Sequence, residues 1–208
     1  MAAPSFFLSL LLVWPAAAQR PRLEVRAAVL ASSTLVEDVL ATPALKARLG
    51  PGLGESLRAR AAAGPELSAG AMVPLRPGVS LSGLVGWQQA TLRAEDAGGT
   101  RDLQELALVH ALLSAEFALR GPLVAGAGVG MLGYRSDPVG LFTDGVDLSP
   151  LVRVSGGGRW VVRGHAISVR ALADVHRFGS PLLRIAGGAG GAVLRYGVQV
   201  GVVPGGGR

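Results

Sequence analysis

The stretch LVAGAGVGMLGY, residues 123–134, admits two readings that lead to different folds. Gly128, Gly130 and Gly133 have the G-x-G-x-x-G spacing of a dinucleotide-binding turn. That turn needs a strand ending at the first glycine, a helix opening near the third and an acidic residue about 20 positions further on. Gly126, Gly128 and Gly130 are also alternate residues of one strand, with Leu123, Ala125, Ala127, Val129 and Met131 on its other face. The sequence that follows decides between them. Tyr134-Arg135-Ser136-Asp137-Pro138 is a loop signal in which Pro138 excludes an early helix interior, and Asp147 falls in the same polar segment. The strand reading stands, and its glycines leave space on one face for large side chains of neighbouring strands.

Outward from this strand the chain repeats itself. The short turn signals Arg76-Pro77-Gly78, Arg120-Gly121-Pro122 and Arg163-Gly164-His165 start 44 and 43 residues apart, each between strand-like runs. Longer polar connections lie between them, at 94–102, 135–147 and 177–191. Counting from the turns predicts eight strands, at 22–32, 65–75, 79–93, 103–119, 123–134, 150–162, 166–176 and 192–203. The segment 33–64 reads as a long first loop, partly helical over Leu35–Leu49 and Glu55–Ala63, with Pro43 beginning or interrupting a helix. Such a loop is foreign to a compact sandwich and ordinary at one end of a barrel.

Period-two alternation tests the barrel. Ile167, Val169, Ala171, Ala173 and Val175 oppose Ser168, Arg170, Asp174 and His176. Val152, Val154 and Trp160 oppose Arg153, Ser155 and Arg159, and Leu194, Tyr196, Val198, Val200 and Val202 oppose Arg195 and Gln199. Leu23, Val25, Ala27 and Val29 oppose Glu24 and Arg26. Residues 103–119, rich in Leu, Ala and Glu, would suit a core helix taken alone. Their odd positions are nevertheless apolar but for Glu105, while Gln104, His110, Ser114 and Glu116 are even, so the strand reading is preferred there too. The fold predicted is all-β, a closed antiparallel up-and-down transmembrane barrel of eight strands with short turns at one end and longer loops at the other.

Bulk properties agree. Half of the 208 residues are hydrophobic and 31 are glycine, yet beyond the N-terminal leader no uninterrupted apolar span reaches membrane-helix length. A barrel that is apolar outside absorbs that surplus. Residues 1–18 carry an apolar run from Phe6 to Trp14 followed by Ala16-Ala17-Ala18, and read as a signal peptide cleaved before Gln19. Residues 19–203 then form the barrel domain and 204–208 a flexible tail. With no cysteine there are no disulfides and no thiolate metal sites. The net charge of +6 is almost all arginine, spaced singly along the chain and not clustered with aromatics, which argues against nucleic-acid binding.

The parity places Glu24, Arg26, Glu116, Arg153, Arg159, Arg170, Asp174 and Arg195 in the lumen, where an eight-stranded barrel has room for side chains but not for an open pore. These charges are expected to pair as a plug, because an unpaired buried ion is costly. No catalytic, cofactor or metal site is expected. A hydrolase at the outer rim would need His176 beside Ser180, with Asp174 close by. Calcium would need Asp137, Asp144 and Asp147 to converge, although exposed turns use the same residues. A soluble lipocalin-like barrel that binds a small apolar ligand is a further alternative, opposed by the inward charges. Phe117 and Trp160 near the short turns, with Trp87 and Tyr134 nearer the long loops, suggest two aromatic interface girdles.

Near the C-terminus, Arg195-Tyr196-Gly197-Val198-Gln199-Val200-Gly201-Val202 resembles the assembly signal of the small eight-stranded outer-membrane β-barrels of Gram-negative bacteria, the family of OmpA, OmpX and OmpW. The resemblance spans about residues 20–203. It implies short turns in the periplasm, loops outside the cell and a last strand read by the barrel-insertion machinery through Arg195, Gly197, Val200 and Val202. It also implies outer-membrane lipid as the surroundings, a monomer, and a structural or loop-mediated recognition role with an unidentified loop partner. The chain departs from the family by continuing past this strand as Pro204-Gly205-Gly206-Gly207-Arg208 and not stopping at an aromatic residue.

Overall fold

A computed structural model describes residues 20–40, 43, 46–47, 56–96, 99–136, 147–178 and 191–205. Its strands are β1 (Arg22–Ser32), β2 (Thr34–Leu40), β3 (Ser56–Ala61), β4 (Gly64–Arg76), β5 (Val79–Asp96), β6 (Gly99–Ala118), β7 (Leu123–Ser136), β8 (Asp147–Val162), β9 (His165–Arg177) and β10 (Ala192–Val203). Eight of them form a ring in the order β5-β4-β1-β10-β9-β8-β7-β6, and β6 returns to β5. Every neighbouring pair is antiparallel. The fold is the closed up-and-down barrel expected from the alternation. Closure leaves the ring no open edge, so the backbone polar groups are satisfied within the wall.

Residues 99–118 are strand throughout, paired with β5 on one side and β7 on the other despite their helix-forming composition. Two expectations about the loops are corrected. Within 33–64, β2 and β3 pair with each other, and β3 continues along β5 where β4 leaves off, linked by Ala62 N donating to Thr91 O at 2.8 Å. The β1–β4 hairpin therefore extends beyond the ring. Pro43, Lys46 and Ala47 are helical. Ser56–Ala61, expected to be helical, is a strand, because Ala59 and Ala61 pack inward while Arg58 and Arg60 remain exposed at period two. The second correction is at 94–102, where β5 and β6 stay in register up to Asp96↔Gly99, so the polar connection is a long hairpin and not a long loop. The leader 1–18 and residues 206–208 lie outside the described residues.

The short turns depend on left-handed backbone at Gly78 (φ 77°), Gly121 (φ 62°) and the consecutive Arg163 (φ 50°) and Gly164 (φ 80°). Two adjacent positive φ values give a hairpin the twist of its flanking strands. From these turns outward the strands keep one parity through the ring, with register shifts at Pro74/Arg76 and at Leu92/Arg93. Every barrel strand presents large apolar side chains to the exterior, among them Leu23, Leu67, Val85, Leu113, Val129, Val152, Val169 and Val198. On β10 this face runs from Leu194 to Val202. At ~3.4 Å per residue and a tilt of about 40°, that span is roughly 21 Å tall, close to the ~25 Å apolar band of membrane barrels.

Candidate functional site

The interior is a stack of layers. At the short-turn mouth Met72, Ala166 and Val203 form a small apolar layer. Above it sits a first ionic group. Arg26 donates to Glu24 at 2.9 Å, Ser82 donates to the same carboxylate at 2.9 Å, and Arg170 lies 4.0 Å from it. Glu116 contacts both Arg159 and Arg170. These side chains come from β1, β5, β6, β8 and β9, so the group links strands around most of the ring.

The second ionic group lies nearer the loop end and centres on Asp174 of β9. Arg153 Nε donates to Asp174 Oδ1 at 2.6 Å and Arg153 Nη2 to Oδ2 at 2.8 Å, while Arg195 Nη2 reaches Oδ2 at 2.6 Å. Glu66 faces the same two arginines, 3.0 Å from Arg195 and 3.3 Å from Arg153. Gln88 Oε1 accepts from Arg195 at 3.1 Å, and its amide donates to Leu30 O. Two acids and two arginines balance, all buried, with Asp174 fully so. His110 stands with Nδ1 3.6 Å from Glu66, and neither of its ring nitrogens makes a hydrogen bond.

Toward the loops the lumen turns apolar. Leu92, Leu106, Leu108, Leu132, Leu151 and Phe178 are buried together there. Tyr134 joins them, its hydroxyl against His176 Nε2 and its ring edge-on to Phe178 at 5.1 Å. A narrow void bordered by Arg26, Ser114, Gly126, Gly128, Arg153 and Arg170 has room for about one water.

All eight charges assigned to the lumen point into it. Arg159 is the most exposed of them and lies toward the mouth. The polar plug is corrected, since the loop-end layer is leucine-rich: inward positions of β5, β6 and β7 there include Leu92, Leu106, Leu108 and Leu132. Tyr134 is corrected as well. It is 1% exposed inside the barrel and not in an outer girdle, whereas Trp87, Phe117 and Trp160 do face outward. His176, expected at an outer rim, is buried against Tyr134, and Asp174 is committed to two arginines. Ser180, Asp137 and Asp144 lie outside the described residues, and Asp147 is described in backbone alone. Glu66 was missed, although Glu66 and Ser68 alternating with Leu67 and Ala69 carry the signal found in the other strands. Of the C-terminal motif, Arg195 faces the lumen while Val200 and Val202 face outward.

The class that this arrangement defines is a small closed β-barrel with an inverted interior, ionic and packed inside and apolar outside. No protein-family model matches the chain, and no curated protein matches it. Among solved structures it is similar to Neisserial surface protein A (NspA), with TM-score 0.49, 15% identity and coverage of 90% of this chain and 97% of that one. It is also similar to the outer membrane protein AlkL determined by solid-state NMR in DMPC lipid bilayers, with TM-score 0.47, 12% identity and 90% coverage of each chain.

Proposed function

We propose that the protein is an integral outer-membrane barrel whose lumen is closed by packed side chains and whose role is exercised at its surfaces, as a structural element or through loop-mediated recognition. The observation that carries this reading is the apolar exterior contributed by all eight ring strands, with the buried charges inside. A water-soluble barrel holding an apolar ligand calls for the reverse parity, because its pocket is apolar and its wall is solvated. Short turns at the end that holds Arg22 and Val203, with the longer connections opposite, match the periplasm-to-surface asymmetry of membrane barrels. Two layers of paired ions and the leucine layer fill the described lumen, which supports a side-chain plug over an open pore.

Membrane fractionation combined with gel mobility before and after boiling tests the proposal. Recovery with the outer membrane and a heat-dependent mobility shift are expected. A soluble periplasmic protein with no shift would defeat it.

A further inference from the structure

The charges of this chain are sorted by level. Among the described residues the lumen holds five arginines against four carboxylates, and the loop-end strand extensions mix both signs, with Arg60 and Arg93 beside Glu95 and Asp102. Five further arginines, Arg20, Arg22, Arg76, Arg120 and Arg163, stand at the short-turn end, where no acidic residue is found among the described residues. Among the described residues this rim is therefore wholly cationic. Arg20, Arg76, Arg120 and Arg163 are exposed and Arg22 is partly so.

Each of the three turns opens on an arginine that directly follows an exposed apolar residue: Leu75 before Arg76, Leu119 before Arg120 and Val162 before Arg163. On β1, Arg22 precedes the exposed Leu23. The guanidinium groups thus stand one residue beyond the edge of the apolar wall, the level at which lipid phosphates lie. A guanidinium fits a phosphate through two parallel hydrogen bonds, and its stem can lie along apolar surface. An acidic protein or a cell-wall polymer would match the charge but would not account for the aliphatic residue beside each arginine.

We infer that this rim is a binding surface for the phosphate headgroups of anionic phospholipid in the leaflet next to the short turns. The inference rests on the membrane reading above. The loop end differs in that arginines there pair with acids, Arg60 with Glu95 at 2.7 Å and Arg93 with Asp102 at 2.6 Å.

The test uses the purified full chain refolded into phosphatidylcholine vesicles with and without phosphatidylglycerol. The lipid retained after gentle detergent extraction is then counted by native mass spectrometry. Phosphatidylglycerol should be retained in preference, and the preference should weaken with salt. The variant R76Q/R120Q/R163Q should lose at least about tenfold of that preference, since one surface arginine is worth up to roughly fivefold. R76K/R120K/R163K should keep most of it, and R58Q/R135Q/R177Q at the loop end should keep all of it. Insertion with equal retention of both lipids, or equal losses in the rim and loop-end variants, overturns the inference and leaves the barrel in its membrane. Selective binding to cell-wall polymer without lipid preference also overturns it. Failure to insert into any vesicle defeats the membrane reading itself.

Discussion

Asp174 is the residue on which the interior most depends, and its replacement by asparagine tests whether the lumen is dry. The carboxylate accepts three charge-assisted hydrogen bonds, at 2.6, 2.8 and 2.6 Å, from two buried arginines. Asparagine keeps the volume and removes the charge. Arg153 and Arg195 then share Glu66 alone, from 3.3 and 3.0 Å, and one buried positive charge is left uncompensated. Breaking a buried pair from one side costs about 3–5 kcal/mol, and that is the loss expected here. The double variant D174N/R153M removes more of the network but restores neutrality, because Arg195 keeps Glu66 and Gln88. It should therefore lose less than the single variant, the non-additivity expected of contacting residues. Urea unfolding of the vesicle-inserted protein, followed through the outward-facing Trp87 and Trp160, gives both values. A D174N variant within about 0.5 kcal/mol of wild type, the range of ordinary surface changes, would falsify the dry network. A double variant no more stable than the single one would refute the charge-balance argument.

Two further outcomes follow from the wall. A Cβ at Gly128 would stand 2.8 Å from Leu113 O and 2.8 Å from Ser114 Cβ, whereas one at Gly83 would meet nothing within 4 Å. Gly128→Leu should accordingly hinder assembly, seen as a lost folded band on unboiled gels, while Gly83→Ala folds as wild type; normal folding of the leucine variant would sink the inward assignment. Val129 is 61% exposed and pairs with the equally outward Val152. Val129→Arg should destabilise the bilayer-inserted barrel by about 2–4 kcal/mol if its level is near the midplane. A change within ~0.5 kcal/mol in urea titrations would mean that this face meets water.

The barrel was legible because parity is a property of every residue in a strand, so that many weak signals add. Where parity was followed it placed Arg153, Arg170, Asp174 and Arg195 in the lumen. Where a second cue overrode it, the reading failed. Tyr134 shares its parity with the inward Gly126, Gly128 and Gly130, whereas its nearness to a loop points to a girdle. Partners were beyond reach of the sequence: Asp174 is 21 residues from each of Arg153 and Arg195, but Glu66 is 87 and 129 residues from them. Only ring closure brings β4 opposite β8. The role of Gly128 also needed coordinates, since the group it admits most closely is the β6 backbone, not an arginine.

A single parity meets two solvation demands here, and it restricts where function can reside. Inward positions are committed to one another. Arg153 and Arg195 share Asp174 and Glu66, Glu116 holds Arg159 and Arg170, and leucines close the loop end. Outward positions of the ring are mostly aliphatic, with a few aromatics such as Trp87, Phe117 and Trp160, and offer little directional chemistry. Specific binding is then left to the two ends, which differ in kind: among the described residues one rim carries arginines without acids, and the other mixes both signs in its paired extensions. Substitutions in the lumen should therefore move stability without moving binding, and those at the rims should do the opposite. The same variant set, scored by urea titration and by retained lipid, separates the two effects; a lumen variant that keeps its stability but loses lipid selectivity would contradict this division.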